Sequence, residues 1–444
     1  MAQRLVVIGG DAAGMGAAAQ ARRLDPTLEI TALEKGPHTS YSACGLPYLV
    51  SGDVEPLDKL VVRTPQEFRD RQRIDVRVLH EVTGVDIGER RLEVRDHDHG
   101  RTLYLPFDQL LVATGARPLR PAIEGIDLPH VYGVQTLEDG ARLLAAAEES
   151  ACQRVVVIGG GYVGLEMAEA FCRWGAEVTV VDSGPQVLRS LDPDMADLVM
   201  GAMKRHEIDV QTDTLVTGIE SGVVHTLDRE LPADLVVLGA GVVPNTELVA
   251  GELELGHRGA IVVDRRQRSS VDGIWAAGDC AESFHRVSRR GIHVALGTVA
   301  NHQARVAGIN LGGGYATFPG VVGTAVTRLC STEIARTGVT EREAHAAGFG
   351  YVVGRIESTT RAGYFPGSDT ITVKVLVDRR SHRVIGGQIV GGPGSAKRID
   401  ALATAITAEM TADDVVDLDL GYAPPFGPVW DPVQTAARVA LRSL

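Results

Sequence analysis

Cysteine is scarce in this chain. There are five among 444 residues, Cys44, Cys152, Cys172, Cys280 and Cys330, and no two form a Cys-x-x-Cys pair. That argues against a disulfide framework and a structural zinc site, and points to a reducing, cytoplasmic setting. No metal site is expected. Aromatic residues make up only 5% and are not interleaved with basic clusters. Cations are outnumbered: 44 Lys and Arg face 57 Asp and Glu, a formal net charge of −13. Nucleic acid is therefore not an expected partner, and an anionic ligand needs a local basic pocket. No uncharged apolar run approaches the ~18 residues of a membrane span, and no basic amphipathic helix suggests a membrane surface. The chain enters a strand at once, Leu5 to Ile8, so no signal peptide is expected.

Glycine is abundant, with 51 residues, and much of it sits in turns after apolar runs. The first unit reads "RLVVIGGDAAGMGAAAQARRLDPTLEITALEKG". Leu5 to Ile8 predicts a buried parallel strand, followed by a glycine turn and an Ala-rich helix from about Gly14 to Leu24. A second strand, Glu29 to Leu33, ends at Glu34. This is a dinucleotide-binding pattern: glycines let the backbone approach a pyrophosphate at the helix N-terminus, and the acid takes a ribose hydroxyl. Asp11 replaces the middle glycine, which sets a carboxylate close to the expected pyrophosphate. The second unit, "RVVVIGGGYVGLEMAEAFCRWGAEVTVVDSG", has Gly159, Gly161 and Gly164 at full spacing after a strand from Val155 to Ile158. Its next strand, Glu177 to Val181, ends at Asp182. A carboxylate there favours the 2′-hydroxyl of NADH over the 2′-phosphate of NADPH, and the next residues, Ser183 and Gly184, bring no cation to offset it.

Three further stretches follow in order: "DQLLVATGARP" (Asp108 to Pro118), "ADLVVLGAGVVPNTEL" (Ala233 to Leu248) and "SSVDGIWAAGDC" (Ser269 to Cys280). The series GGDAAG, ATG, GGGYVGLE, GAGVVPN, AAGDC resembles the pyridine nucleotide–disulfide oxidoreductases along nearly the whole chain. The resemblance implies an α/β fold with two Rossmann-like domains, for FAD and for NADH (NADPH possible), and a C-terminal α+β dimerisation domain. It divides the chain into an FAD-binding domain (1–115 and 246–320), an inserted nicotinamide domain (116–245) and the dimerisation domain (321–444). Cofactor contacts are implied at Gly9, Gly10, Gly14, Glu34, Lys35, Val82, Ala113, Thr114, Gly115, Gly278 and Asp279, and at Gly159, Gly161, Tyr162, Gly164, Glu166, Asp182 and Gly241. Asp279 would bind the ribityl chain of FAD, and Tyr162 and Glu166 would meet the nicotinamide.

"SYSACGLPY" holds one cysteine, Cys44. An isolated cysteine is more often a small buried hydrophobe. Within this motif it resembles the single-cysteine branch of the family, which includes coenzyme A-disulfide reductase, NADH oxidase and NADH peroxidase. A nucleophilic sulfur must be a thiolate, which calls for positive potential or a helix N-terminus nearby. Oxidase and peroxidase members carry a histidine where this chain has Ala12, which favours a disulfide or persulfide substrate. Tyr364 in "RAGYFPGSD" and Tyr422 in "DLGYAPPFGPVWDP" match tyrosines that reach the partner subunit's cysteine, implying a homodimer with shared active sites. Gln20, Arg23, Ser40 and Asn301 match coenzyme A contacts, with Arg22 as a further cation. Ala43 stands where the branch often has asparagine, and Asn301 where some members have histidine. No rhodanese-like extension is expected after Leu444. The reading is an NAD(P)H-dependent flavoprotein that reduces coenzyme A disulfide or a related small disulfide or persulfide. NADH oxidase, a ferredoxin-type flavin reductase and a non-enzymatic redox sensor stand as alternatives.

Overall fold

The structure, a computed structural model, describes residues 3–149 and 152–444. Two five-stranded sheets of the same design dominate its first part. In one, the strands run in the order Ile274–Ala276, Gln109–Val112, Arg4–Ile8, Glu29–Leu33, Asp75–Arg77, all parallel. In the other the order is Asp209–Gln211, Glu177–Val181, Arg154–Ile158, Leu235–Leu238, Val131–Gly133, again parallel. The central strand of each is a continuous apolar run because both faces are covered. Side chains alternate between faces: Leu5 and Val7 join one core cluster, while Val6 and Ile8 join another. Val155 and Val157 part from Val156 and Ile158 in the same way. Each such side chain fully buried contributes roughly 1.5–3 kcal/mol.

The first helix spans Ala12–Leu24, two residues earlier than its sequence pattern suggests, with Asp11 at its N-cap. It is Ala-rich for a packing reason. Ala13, Ala17 and Ala21 share a core with Ala300, Ala304 and Ala307 of the helix Gly297–Leu311. The approach is close: a Cβ on Gly308 would lie 2.5 Å from the Ala17 carbonyl oxygen.

Short strands Ala116–Pro118 and Val242–Pro244 pair antiparallel where the chain passes from the first sheet to the second and back. The C-terminal part carries an antiparallel sheet in the order Ala325–Leu329, Thr332–Gly338, Val384–Gly391, Thr370–Asp378, Tyr351–Thr359. A buried lysine locks this sheet to the second parallel sheet's unit. Lys374 Nζ meets Asp194 at 2.6 Å, Glu341 at 2.6 Å and Asp192 at 3.1 Å. The three clustered carboxylates thus share one ammonium, which offsets part of their charge. None of the helices among the described residues is long and apolar enough to cross a membrane.

Candidate active site

The two glycine turns are built alike. Gly9 and Gly159 have φ of +107° and +106°, conformations that strongly favour glycine. A Cβ on Gly14 would lie 1.9 Å from the Gly9 carbonyl oxygen, and one on Gly164 2.0 Å from that of Gly159, so each helix sits directly against its turn. The acid that ends each second strand grips backbone amides on both sides. Glu34 accepts from Gly10 N at 2.7 Å and Gly36 N at 2.8 Å. Asp182 accepts from Gly160 N and from Gly184 N, each at 2.8 Å.

In the first turn, Asp11 is directed at the cysteine loop. Its Oδ1 accepts from Tyr41 N at 3.0 Å, while Ser40 N donates to Gly10 O at 3.0 Å. Ser40, at φ +50°, in turn accepts from Val62 N at 2.8 Å. Burial pushes the Asp11 carboxyl up to about 6. Ala113, Thr114 and Gly115 form the neighbouring turn: Ala113 N donates to Ile8 O, and Asn245 latches the turn by accepting from Thr114 Oγ1 and donating to Thr114 O at 2.9 Å. Gly241 O accepts from Leu119 N at 2.8 Å. Glu34 and Lys35 line a cavity of about 300 Å³ with His38, Tyr41, Glu81 and His97. Val82 is buried in the core cluster that holds Ile8 and Leu33.

The residues fit the two nucleotides. Gly278 N is fixed by Gln303 Oε1 at 2.8 Å, and the next residue, Asp279, is held through its carbonyl by His293 Nε2 at 2.7 Å. Burial pushes the Asp279 carboxyl up to about 6, and no side-chain partner pairs with it among the described residues. A desolvated, unpaired acceptor suits a hydroxyl-bearing chain such as the ribityl of FAD. In the second turn, a Cβ on Gly161 would meet nothing nearer than 3.4 Å, which leaves open ground beside the backbone for a pyrophosphate.

Cys44 lies in the single turn Ala43–Gly45, just before the short helix Leu46–Val50. Cys44 is exposed, yet its thiol is pushed up, first by partial desolvation from the surrounding loop, then by the carboxylates of Glu166, Asp279 and Asp11. The positive potential expected from the sequence is therefore not supplied by these neighbours. Glu166 comes from the second glycine helix, Tyr162–Arg173, and Asp279 and Asp11 come from the first unit, so both units converge at this sulfur. Burial also raises Glu166, against a hydrogen bond from Thr327 Oγ1 at 2.8 Å. Tyr162 accepts from Ser190 Oγ at 3.2 Å.

Tyr364 and Tyr422 are brought together on an exposed face, at 78% and 47% exposure, with Phe426, Val429 and Trp430 also exposed on the Tyr422 loop. The Tyr422 phenol is raised, first by desolvation and then by the neighbouring Tyr364 phenol. One residue the motifs did not reveal, Arg398, binds both tyrosine loops. It donates to Thr360 O at 2.8 Å, Phe426 O at 2.6 Å and Gly394 O at 2.6 Å, and pairs with Asp431 at 3.2 Å.

The basic pocket is smaller than expected. Arg22 is consumed by backbone carbonyls of Gln72, Arg73 and Pro26, so it holds the fold rather than a phosphate. Arg23 donates to Gln20 Oε1 at 3.2 Å at the surface, and exposed Asn301 donates to Gly297 O at 2.7 Å. The nicotinamide side also departs from expectation. Ser183 and Gly184 bring no cation, but Arg189 does, with its Nε 3.9 Å from Asp182 Oδ1.

Residues 3–304 match the family profile of the pyridine nucleotide-disulphide oxidoreductases, and residues 324–432 match that family's dimerisation domain. A NAD(P)H sulfur oxidoreductase (CoA-dependent) of Pyrococcus abyssi is 39% identical over 98% of this chain and 97% of its own length. An NADH oxidase of Methanocaldococcus jannaschii is 36% identical over 99% of each chain. The solved structure of a NAD-dependent persulfide reductase from A. fulgidus superposes with a TM-score of 0.96 at 40% identity, covering 99% of this chain and 83% of that one.

Proposed function

The chain belongs to the pyridine nucleotide-disulphide oxidoreductases and is an FAD- and NAD(P)H-dependent enzyme, and from that premise we propose that Cys44 is its redox thiol and a coenzyme A disulfide or persulfide its substrate. The observation that carries this reading is the placement of Cys44: it lies in the turn just before the short helix Leu46–Val50, and its loop is pinned to the first glycine turn, where Tyr41 N donates to Asp11 Oδ1 and Ser40 N to Gly10 O, each at 3.0 Å. In this reading residues 1–115 with 246–320 hold FAD, 116–245 hold the nicotinamide, and 321–444 pair two subunits. Asp279 and Glu34 hold the ribityl chain and the adenosine ribose. The surroundings are a reducing cytoplasm, in keeping with only five cysteines and no Cys-x-x-Cys pair among them.

FAD, when bound, supplies an electron pair taken as hydride from NAD(P)H. The chain's own residues do the rest. Cys44 Sγ, as thiolate, attacks the substrate disulfide; one S–S bond forms as the other breaks, and a thiolate leaves. An electron pair delivered to the new Cys44–substrate bond releases the second thiolate and restores Cys44. Each departing thiolate takes up one proton. A phenol is protonated near neutral pH and donates a hydrogen bond to such a sulfur, which is the role we assign to Tyr364 and Tyr422 across a two-fold interface. We assign the coenzyme A contacts to Gln20, Arg23, Ser40 and Asn301, with Arg23 as the phosphate cation. The M. jannaschii relative keeps oxygen reduction in view; against it, Ala12 offers no acid–base group. The test is Cys44→Ser with NADH. Disulfide turnover is expected to vanish while FAD stays bound and is still reduced; disulfide reduction near the original rate, or oxygen uptake exceeding it in the unaltered enzyme, overturns the reading.

A further inference from the structure

We infer that Arg173 and Trp174, at the end of the second glycine helix, are positioning residues that hold Cys44 in place through the far end of the short helix that follows it. The role rests on the proposed reading of Cys44 as the redox thiol. By sequence Cys44 belongs to the FAD-binding part, yet the helix after it, Leu46–Val50, packs into the other unit. Leu46, Leu49 and Val50 are buried in one core cluster with Leu165, Ala168 and Phe171 of the second glycine helix, Tyr162–Arg173. Leu46 also meets the helix Leu137–Glu149, where a Cβ on Gly140 would lie 2.6 Å from Leu46 Cδ2.

Apolar burial is non-directional, so it does not by itself set the angle of a five-residue helix. Directional bonds at the helix's far end do. Trp174 Nε1 donates to Val50 O at 2.5 Å, one of the carbonyls that a helix end leaves unpaired. The chain then turns back, with Val54 N donating to Tyr48 O at 3.0 Å, and Asp53 meets Arg173. Arg173 donates to it through both Nη atoms, Nη2 to Oδ1 at 2.8 Å, a forked pairing that fixes orientation as well as distance. Arg328 of the C-terminal sheet backs the clamp, 3.3 Å from Glu169 and 3.8 Å from Asp53. The segment that carries Cys44 is therefore tied at both ends. Its start is held to the first glycine turn through Tyr41 N and Asp11, and its end to a helix whose N-cap is Gly161 of the second turn. The Arg173 and Asp53 side chains are 42% and 33% exposed, and a pair so placed contributes little to stability. Its effect is on where the sulfur sits.

Two measurements on the holoenzyme test this: the rate at which iodoacetamide alkylates Cys44 after NADH treatment and desalting, read by peptide mapping, and stopped-flow rates of FAD reduction and of disulfide reduction. Arg173→Met is expected to change Cys44 alkylation at least about threefold and to slow disulfide reduction roughly tenfold or more, with FAD reduction by NADH changed less than about threefold. Asp53→Ala should reproduce these effects. The double variant should lose no more than either single one, because all three remove the same contact. Trp174→Phe keeps an aromatic ring without the donor; it should act in the same direction and carries the test if Arg173→Met does not fold. An unchanged alkylation rate, or an equal fall in both half-reactions, overturns the inference. A changed alkylation rate with disulfide reduction intact supports the clamp and overturns instead the reading of Cys44 as the redox thiol.

Discussion

Thr327 donates its hydroxyl to Glu166 Oε1 at 2.8 Å, so a strand of the C-terminal sheet sets a carboxyl on the helix of the second glycine turn. Burial raises this carboxyl and Thr327 opposes the rise. Thr327→Val keeps the shape and removes the donor. The pH profile of FAD reduction by NADH should then move to higher pH, with a stability loss of ~1–3 kcal/mol for the donor removed. Stopped-flow reduction across pH checks the shift; an unchanged profile separates Thr327 from the reaction.

Asp279 holds a stability cost that function explains. Its folded carboxyl is raised to about 6 by burial, above the ~3.9 of an unfolded aspartate. Between these values the folded state keeps a proton that the unfolded chain has lost, so stability falls as pH rises from about 4 to about 6. Asp279→Asn should therefore stabilise FAD-free protein above pH 6, by at most about 3 kcal/mol, with no gain near pH 4. The same change should weaken FAD binding. Melting curves at the two pH values, with and without FAD, measure both effects.

Arg398 ties the Tyr364 and Tyr422 loops to one guanidinium through Thr360 O and Phe426 O. Arg398→Met strands those carbonyls and Asp431, a change that typically costs ~3–5 kcal/mol for a largely buried pair. Disulfide reduction should fall tenfold or more, on the order of one lost positioning contact, while FAD reduction by NADH persists. Loss of both reactions together would assign Arg398 to the fold at large.

What was legible in the sequence was whatever lay within one strand–turn–helix unit. Gly9, Gly14, Gly159 and Gly164 showed as spacing because each packs against its own turn, and Glu34 and Asp182 showed because they close the very next strand. Groups brought in from far along the chain left no such trace: Thr327 reaches Glu166, and Arg398 reaches the tyrosine loops, only through folding. Arg189 was missed for a subtler reason. It lies close in sequence to Asp182, but only the buried Val187–Leu188 turn shows that it comes back to the acid. Arg22 misled because a pair of arginines on a helix looks alike whether it meets solvent or backbone carbonyls. Asp11 at the middle-glycine place gave no hint that its carboxylate holds Tyr41 N of the cysteine loop.

The proposed sharing of the site between subunits has its own consequence. Tyr422→Phe removes only the phenolic donor and should slow disulfide reduction roughly tenfold to a hundredfold, with little effect on FAD reduction. Mixing Cys44→Ser chains with Tyr364→Phe/Tyr422→Phe chains should restore activity, because one site of the heterodimer then collects every lesion and the other is intact. Proven subunit exchange without recovery places the tyrosines in their own chain's site or outside the chemistry.

The central claim is that Cys44, and none of Cys152, Cys172, Cys280 or Cys330, carries the substrate sulfur. Its most direct measurement is the intact mass of the enzyme after reaction with coenzyme A disulfide and acid quench, followed by mapping of the modified peptide. One coenzyme A per chain is expected on the peptide containing Cys44, removed when NADH is added before the quench. An unmodified chain, or an adduct carried by another cysteine and indifferent to NADH, would contradict it.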